Sequence, residues 1–164
     1  MLSSTVESTI HTIMDDNTTN LHPLTDTWTL WAHLPHNTDW SIDSYIKIHT
    51  FDSFEAAIML CEVISEKMVQ NCMLFLMRDG ILPTWEDTSN KSGGCFSYKI
   101  ADKNVYKSWK SIFYAMVGES TTDNKEVTLN GITISPKKNF CIIKIWIKNH
   151  NRFKSRVFFC FTGL

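Results

Sequence analysis

Two tryptophans stand where an indole gains least from a core. Trp40 ends the polar stretch NTDW and Trp85 lies within PTWED, outside any periodic apolar pattern. An indole on a loop can stack on a planar ligand, and base–aromatic stacking contributes about 1–3 kcal/mol per base. Glu86 directly follows Trp85. A carboxylate beside a stacking surface accepts two hydrogen bonds from a guanine edge, whose N1–H and exocyclic amine form a donor pair absent from adenine and the pyrimidines. If the base is also cationic, two indoles hold it by cation–π attraction of roughly 2 kcal/mol or more when desolvated.

Charge supplies the next element. Residues 1–80 hold eleven acids and three bases, residues 81–136 hold six of each, and residues 137–164 hold seven bases and no acid. The net charge of −1 predicts no bulk attraction to RNA or membrane. The unopposed run of Lys137, Lys138, Lys144, Lys148, Arg152, Lys154 and Arg156 suits a phosphate-binding edge. A solvated strand face balancing the acidic front half fits it equally well. Two tryptophans, an acid and a basic tail together specify a cationic guanine carrying phosphates.

Catalysis finds little support. His33 and His36 form the one close histidine pair, and HLPH reads as an exposed turn rather than a metal site. No nucleophile elbow, phosphate loop, zinc-deaminase signature or clearly spaced acid pair occurs. Cys95 adjoins Gly93 and Gly94, but no histidine is placed by sequence to activate its thiol. The five cysteines are odd in number and form no C-x-x-C pair, which argues against a disulfide framework or zinc knuckle and fits a reducing compartment. No metal, cofactor or enzymatic activity is expected. With no secretory leader and no apolar run near 18 residues, the expectation is a soluble cytoplasmic protein, with a nuclear fraction allowed.

The elements that must position these residues follow from periodicity. A chain of 164 residues suits one domain, here residues 21–164 after a flexible polar leader over residues 1–20. TWTLWAHL, SYIKIHTF, MLFLMR, FSYKI and FCIIKIWIK read as strands. In the last, Ile142, Lys144, Trp146 and Lys148 share one side and Ile143, Ile145 and Ile147 the other. Ser53 can cap one helix with apolar positions Phe54, Ile58, Cys61, Ile64 and Met68 facing a sheet. A second helix runs from Val105 to Val117, stopped by Gly118. VTL-NG-ITI reads as a hairpin turning at Asn130 and Gly131, TWEDTSNKSGG as a polar loop, and Trp28, Trp31 and Trp109 as core. Strands outnumber helices without a βαβ rhythm. The predicted class is α+β, a curved antiparallel β-sheet covered on one face by helices.

Taken in order, HPLTDTWTLW, NTDW, FDSFEAAI, DGILPTWED, NKSGG, VGES and IKIW resemble the eukaryotic translation initiation factor 4E family, from about His22 to Trp146. The resemblance implies helices on the convex face and a pocket on the concave side, where Trp40 and Trp85 sandwich the 7-methylguanine of an mRNA cap. It implies that Glu86 reads the guanine edge and Trp146 lies near the N7-methyl group. It also implies a convex face for a helix of an initiation factor 4G-like scaffold, at His22, Pro23, Phe54, Ile58 and Lys110, with the protein acting as a monomer.

The departures carry consequences. Cys95 stands where the family usually has a phosphate-binding arginine; Lys137 falls where another is expected, and Asn139 and Ile142 where lysines are expected. Lys138 or Lys144 can substitute through a shifted loop, and Arg152, Lys154 and Arg156 can cover phosphates or the first transcribed nucleotides. Lys110 replaces an apolar position on the convex face, which predicts a different, acidic partner. Two alternatives follow: a cap-binding decoy or repressor that does not recruit the usual scaffold, and an interaction module with a vestigial pocket.

Overall fold

The computed structural model of the chain describes Ser8 and residues 21–122 and 126–149. Six strands form one antiparallel sheet: β1 (Pro23–His33), β2 (Tyr45–Ser53), β3 (Met73–Arg78), β4 (Gly94–Ala101), β5 (Leu129–Pro136) and β6 (Phe140–Ile147), in the order β2-β1-β3-β5-β6-β4. The helices are α1 (Phe54–Val63), α2 (Glu66–Asn71), α3 (Thr88–Lys91) and α4 (Asp102–Val117). The predicted α+β class is the one observed.

Strand alternation divides the side chains between two faces. Leu30, Leu74, Leu76, Ile132, Ile134, Ile143 and Ile145 point to one face and are fully buried with Leu60, Val105, Trp109, Ile112 and Phe113 of α1 and α4. Each such side chain contributes about 1.5–3 kcal/mol when removed from water. The opposite face carries a smaller cluster of Phe75, Met77 and Trp146, with Trp31, Tyr45, Met73 and Ile81 packed on it. Trp28 and Trp109 belong to the main core, whereas Trp31 lies on the open face, because consecutive Leu30 and Trp31 point to opposite sides.

Four local readings need correction. The helix after Ser53 is two helices: Ser53 caps α1 by accepting from Ala56 N–H at 3.4 Å, and Ser65 starts α2 by accepting from Met68 N–H. The buried stripe of α1 is Ala56, Ala57, Leu60 and Cys61, so Phe54 and Ile58 face solvent. Cys61 and Ile64 are buried as expected, but a pattern scored on large apolar residues passes over the small Ala56 and Ala57 that face the core and includes Phe54 and Ile58, which do not. The polar stretch after Trp85 contains the short helix α3, capped by Asp87, whose side chain accepts from Ser89 N–H. The helix from Val105 does stop at Gly118, as read from the sequence, with φ −84° there and the left-handed conformation at Glu119, φ 52°.

The fourth correction concerns Asn130 and Gly131, which make no hairpin. Both lie inside β5, at a register irregularity against β6. Asn130 is fully buried and its amide donates to the Ser89 carbonyl at 2.8 Å and to Asn90 Oδ1 at 2.9 Å. A Cβ at Gly131 would stand 2.3 Å from the Leu76 carbonyl oxygen, so glycine is needed for β5 to approach β3. The β5–β6 turn instead falls at residues 137–139, closed by Lys137 N–H donating to the Phe140 carbonyl at 2.8 Å.

Candidate functional site

The loop between β1 and β2 presents Trp40 on a rigid base. Its turn holds His36 at φ 68°, a conformation uncommon for a side chain other than glycine. Asp39 N–H donates to Asn37 Oδ1, and the Asp39 carboxylate accepts from the Ser41 N–H at 2.8 Å and the Ser41 hydroxyl at 2.9 Å. These bonds, the backbone one foremost, hold the Asp39 carboxyl below its ordinary pKa. His33, only 2% exposed, bonds through Nε2 to the Asp39 carbonyl at 2.8 Å. A carbonyl only accepts, so Nε2 carries the proton. The imidazole stacks parallel under Trp40, and Tyr45 and Phe75 continue the aromatic row edge to face.

The loop between β3 and β4 carries Trp85 and Glu86. Gly80, at φ 77°, makes the reversal after β3. Asp87 accepts from Leu82 N–H, and the buried Asn90 amide donates to the Leu82 and Thr84 carbonyls. Asn130, donating to Ser89 and Asn90, ties this loop to β5. Trp85 tilts 36° over Trp146 with ring centroids 4.3 Å apart, and Lys144 Nζ lies 5.9 Å from the Trp85 ring centroid. Trp146 is buried, its indole N–H donating to Thr133 Oγ1 at 2.7 Å. That hydrogen bond fixes the ring and leaves its apolar surface for packing.

Between the two loops lies a cavity of about 350 Å³, within the range of small-ligand sites, roughly 300–1,000 Å³. Trp40, Trp85, Glu86, Lys137, Lys144 and Trp146 all line it. Trp40 is 57% and Trp85 45% exposed, so each indole keeps accessible surface. Sequence reasoning missed Tyr45, Met73, Phe75, Pro83, Thr84, Thr133 and Ser135, which complete the wall. Open-face alternation in β3 and β5 was the available signal, but nothing local says which strands lie side by side. Burial, with the Glu86 charge second, pushes the Tyr45 phenol above its ordinary pKa. Lys138 is exposed on the β5–β6 turn, outside the lining, and Arg152, Lys154 and Arg156 lie outside the described residues. Cys95 stands opposite Trp146 in the β4–β6 register.

On the helical side, Phe54 and Ile58 are 43% and 51% exposed on α1. His22 donates from its backbone N–H and from Nδ1 to the Glu55 carboxylate, and Phe54 N–H donates to the His22 carbonyl. Pro23 opens β1 beside them. Lys110 Nζ stands 2.6 Å from Glu62 Oε1, which also accepts from the Tyr114 hydroxyl. The charge on Lys110 is therefore met within the protein, which removes the ground for expecting an acidic partner.

Among the described residues no group of His, Cys, Asp and Glu could hold a metal, and no helix is long and apolar enough to cross a membrane.

An open antiparallel sheet with helices on one face and an aromatic, acid- and lysine-lined cavity on the other defines an α+β domain with an open-face cavity. The family model described as eukaryotic initiation factor 4E matches residues 23–157, and the chain belongs to that family. The family comprises initiation factors, not enzymes. The chain is similar to eukaryotic translation initiation factor 4E of Eremothecium gossypii, 30% identical over 138 residues, covering 78% of this chain and 63% of the relative. It is also similar to that of Dictyostelium discoideum, 31% identical over 133 residues, covering 77% of this chain and 52% of the relative. The chain thus spans less than two thirds of these relatives. Its fold matches C. elegans eIF4E-3 in complex with the 4E-binding protein Mextli and a cap analog, at TM-score 0.74 and 24% identity, covering 82% of this chain and 78% of the other. It also matches Ascaris suum eIF4E-3 in complex with an m7G cap, at TM-score 0.72 and 22% identity, covering 81% and 77%.

Proposed function

We propose that this chain binds the 7-methylguanosine cap of mRNA and acts in translation initiation. The observation that carries this reading is that Trp40 and Trp85, 45 residues apart in sequence, line one cavity with Glu86, Lys137 and Lys144. In it the methylated base inserts between the Trp40 and Trp85 indoles, each backed by a second ring. Its positive charge favours the two π-faces, by roughly 2 kcal/mol or more when desolvated. Glu86 accepts from the guanine N1–H and amine, which selects guanine over the other bases. Lys137 and Lys144 neutralise phosphate, without an arginine at the position of Cys95. Membership of the initiation factor 4E family and the cap ligands of the C. elegans and Ascaris suum proteins support the reading.

The helical face is proposed to take a partner helix, with Phe54 and Ile58 as apolar anchors beside the Lys110–Glu62 pair. The C. elegans neighbour carries a 4E-binding protein, and the schistosome protein in another matched structure is complexed with m7GpppA and 4E-BP. Because Lys110 and Glu62 occupy part of this face with charge, a repressor-type protein with its own partner is the second reading.

Fluorescence titration with 7-methylguanosine triphosphate and GTP, at two salt concentrations, tests the first proposal. Strong quenching by the methylated ligand with little by GTP is the expected result. Equal weak quenching by both overturns it and favours the interaction module.

A further inference from the structure

The open face of the sheet continues past the cavity. Phe140, Ile142, Lys144 and Trp146 alternate onto it along β6. The register places Cys95, Ser97 and Lys99 of β4 opposite Trp146, Lys144 and Ile142. At the far end Lys99 Nζ lies 4.3 Å from the centroid of the half-exposed Phe140 ring. Trp146 and Lys144 line the cavity, and Phe140 lies about 20 Å from Trp146 at the rise of a strand. Lys137, also in the lining, donates its backbone N–H to the Phe140 carbonyl, so the cationic rim of the cavity joins the strip directly. From Lys91 to Ala101 and from Lys137 to Lys148 the sequence contains six lysines and no acid.

We propose that this β4–β6 strip is a platform for single-stranded RNA, namely the nucleotides that follow the cap in the same transcript. The inference rests on the cap-binding reading and extends its ligand from a nucleotide to an RNA segment. Lys144 and Lys99 meet backbone phosphates, and Phe140, braced by the Lys99 ammonium, offers its ring to a base. An acid-free lysine strip with an aromatic at its end suits a strand bearing one charge per phosphate and a π-face per base. Its continuity with the phosphate side of the cavity gives the direction of the strand, from Lys137 and Lys144 toward Phe140. Unlike the guanine pocket, the strip offers no carboxylate to read base edges, so it accepts varied sequences.

The test compares 7-methylguanosine triphosphate with a capped RNA hexanucleotide and the same hexanucleotide uncapped, binding to the full chain. The capped hexamer is expected to bind at least about threefold more tightly than the nucleotide, by a margin that shrinks as salt rises. Lys99→Glu and Phe140→Ala should remove that margin and leave the affinity for 7-methylguanosine triphosphate within about twofold, which also certifies the fold. Phe140→Trp should retain it. A wild-type chain that binds capped hexamer no better than the nucleotide, or variants that keep the margin, overturns the platform. Absence of binding to 7-methylguanosine triphosphate overturns the cap-binding reading itself, and the platform with it.

Discussion

Trp40 lies flat on the imidazole of His33, with ring centroids 4.3 Å apart and no angle between the planes. The same imidazole holds the Asp39 carbonyl one residue before the tryptophan. Indole and loop are thus anchored by one buried side chain, and a ligand stacked on Trp40 would meet an indole already oriented. Orientation in the free protein lowers the ordering cost of binding.

Removing that support should therefore weaken binding without touching the ligand. An aromatic pair contributes about 0.5–1.5 kcal/mol beyond burial, so His33→Ala should raise the dissociation constant for 7-methylguanosine triphosphate about two- to tenfold. His33→Phe, which keeps the stack, should recover most of the loss. Equal affinity for His33→Ala and wild type in a fluorescence titration would refute the role.

Glu86 is the carboxylate in the cavity lining, beside Trp85. Glu86→Ala should cost at least about tenfold in affinity, because the guanine donors would be left buried and unpaired. Calorimetry with 7-methylguanosine triphosphate decides this, and unchanged affinity removes Glu86 from edge reading.

Asn130 acts at a distance on Trp85. Its amide donates to Ser89 and Asn90, and Asn90 in turn donates to the Leu82 and Thr84 carbonyls of the tryptophan loop. Asn130→Ala should lower unfolding stability by about 1–3 kcal/mol in urea denaturation and weaken ligand binding as well. A loss of stability with full ligand affinity would separate the loop from this network.

The thiols should react unequally. Burial pushes Cys61 and Cys141 up to about 11, so at pH 8 only about a thousandth of each is thiolate. Half-exposed Cys95 on the open face should be alkylated by iodoacetamide well before either, as read by peptide mass spectrometry. Raising the pH toward 11 should narrow the difference. Prompt labelling of Cys61 at pH 8 would contradict its burial.

Lys110 and Tyr114 hold the Glu62 carboxyl below its ordinary pKa, and Glu62 raises that of Lys110. A lowered carboxyl stabilises the fold above the ordinary carboxylate range and ceases to do so as pH falls through its folded value. A raised lysine contributes below the ordinary lysine range and is lost as pH climbs through its folded value. The pair is thus intact across neutral pH. In an NMR titration Lys110→Ala should move the Glu62 midpoint upward, and an unmoved midpoint would mean that the ion pair does not form in solution.

Much of this protein is written in local pattern. The alternation of FCIIKIWIK separates Trp146 and Lys144 from the buried isoleucines, and the periodicity from Val105 marks α4, because strand and helix periods act over a few residues. Trp40, Trp85 and Glu86 stand out because polar neighbours leave a large ring without a core. Local pattern failed where the partner is remote. Asn-Gly suits a tight turn, yet Asn130 is held by Ser89 and Asn90, some forty residues earlier, and Gly131 by the backbone of β3. His33 resembled half of an exposed histidine pair until the sheet placed Tyr45 beside it, with Phe75 behind Tyr45. By itself the sequence determined the elements, their faces and the unusual loop indoles; only the tertiary structure decided which residues wall the cavity and which ring lies under each tryptophan. Strand order and register bring residues together across dozens of positions, and those contacts leave no period in the chain.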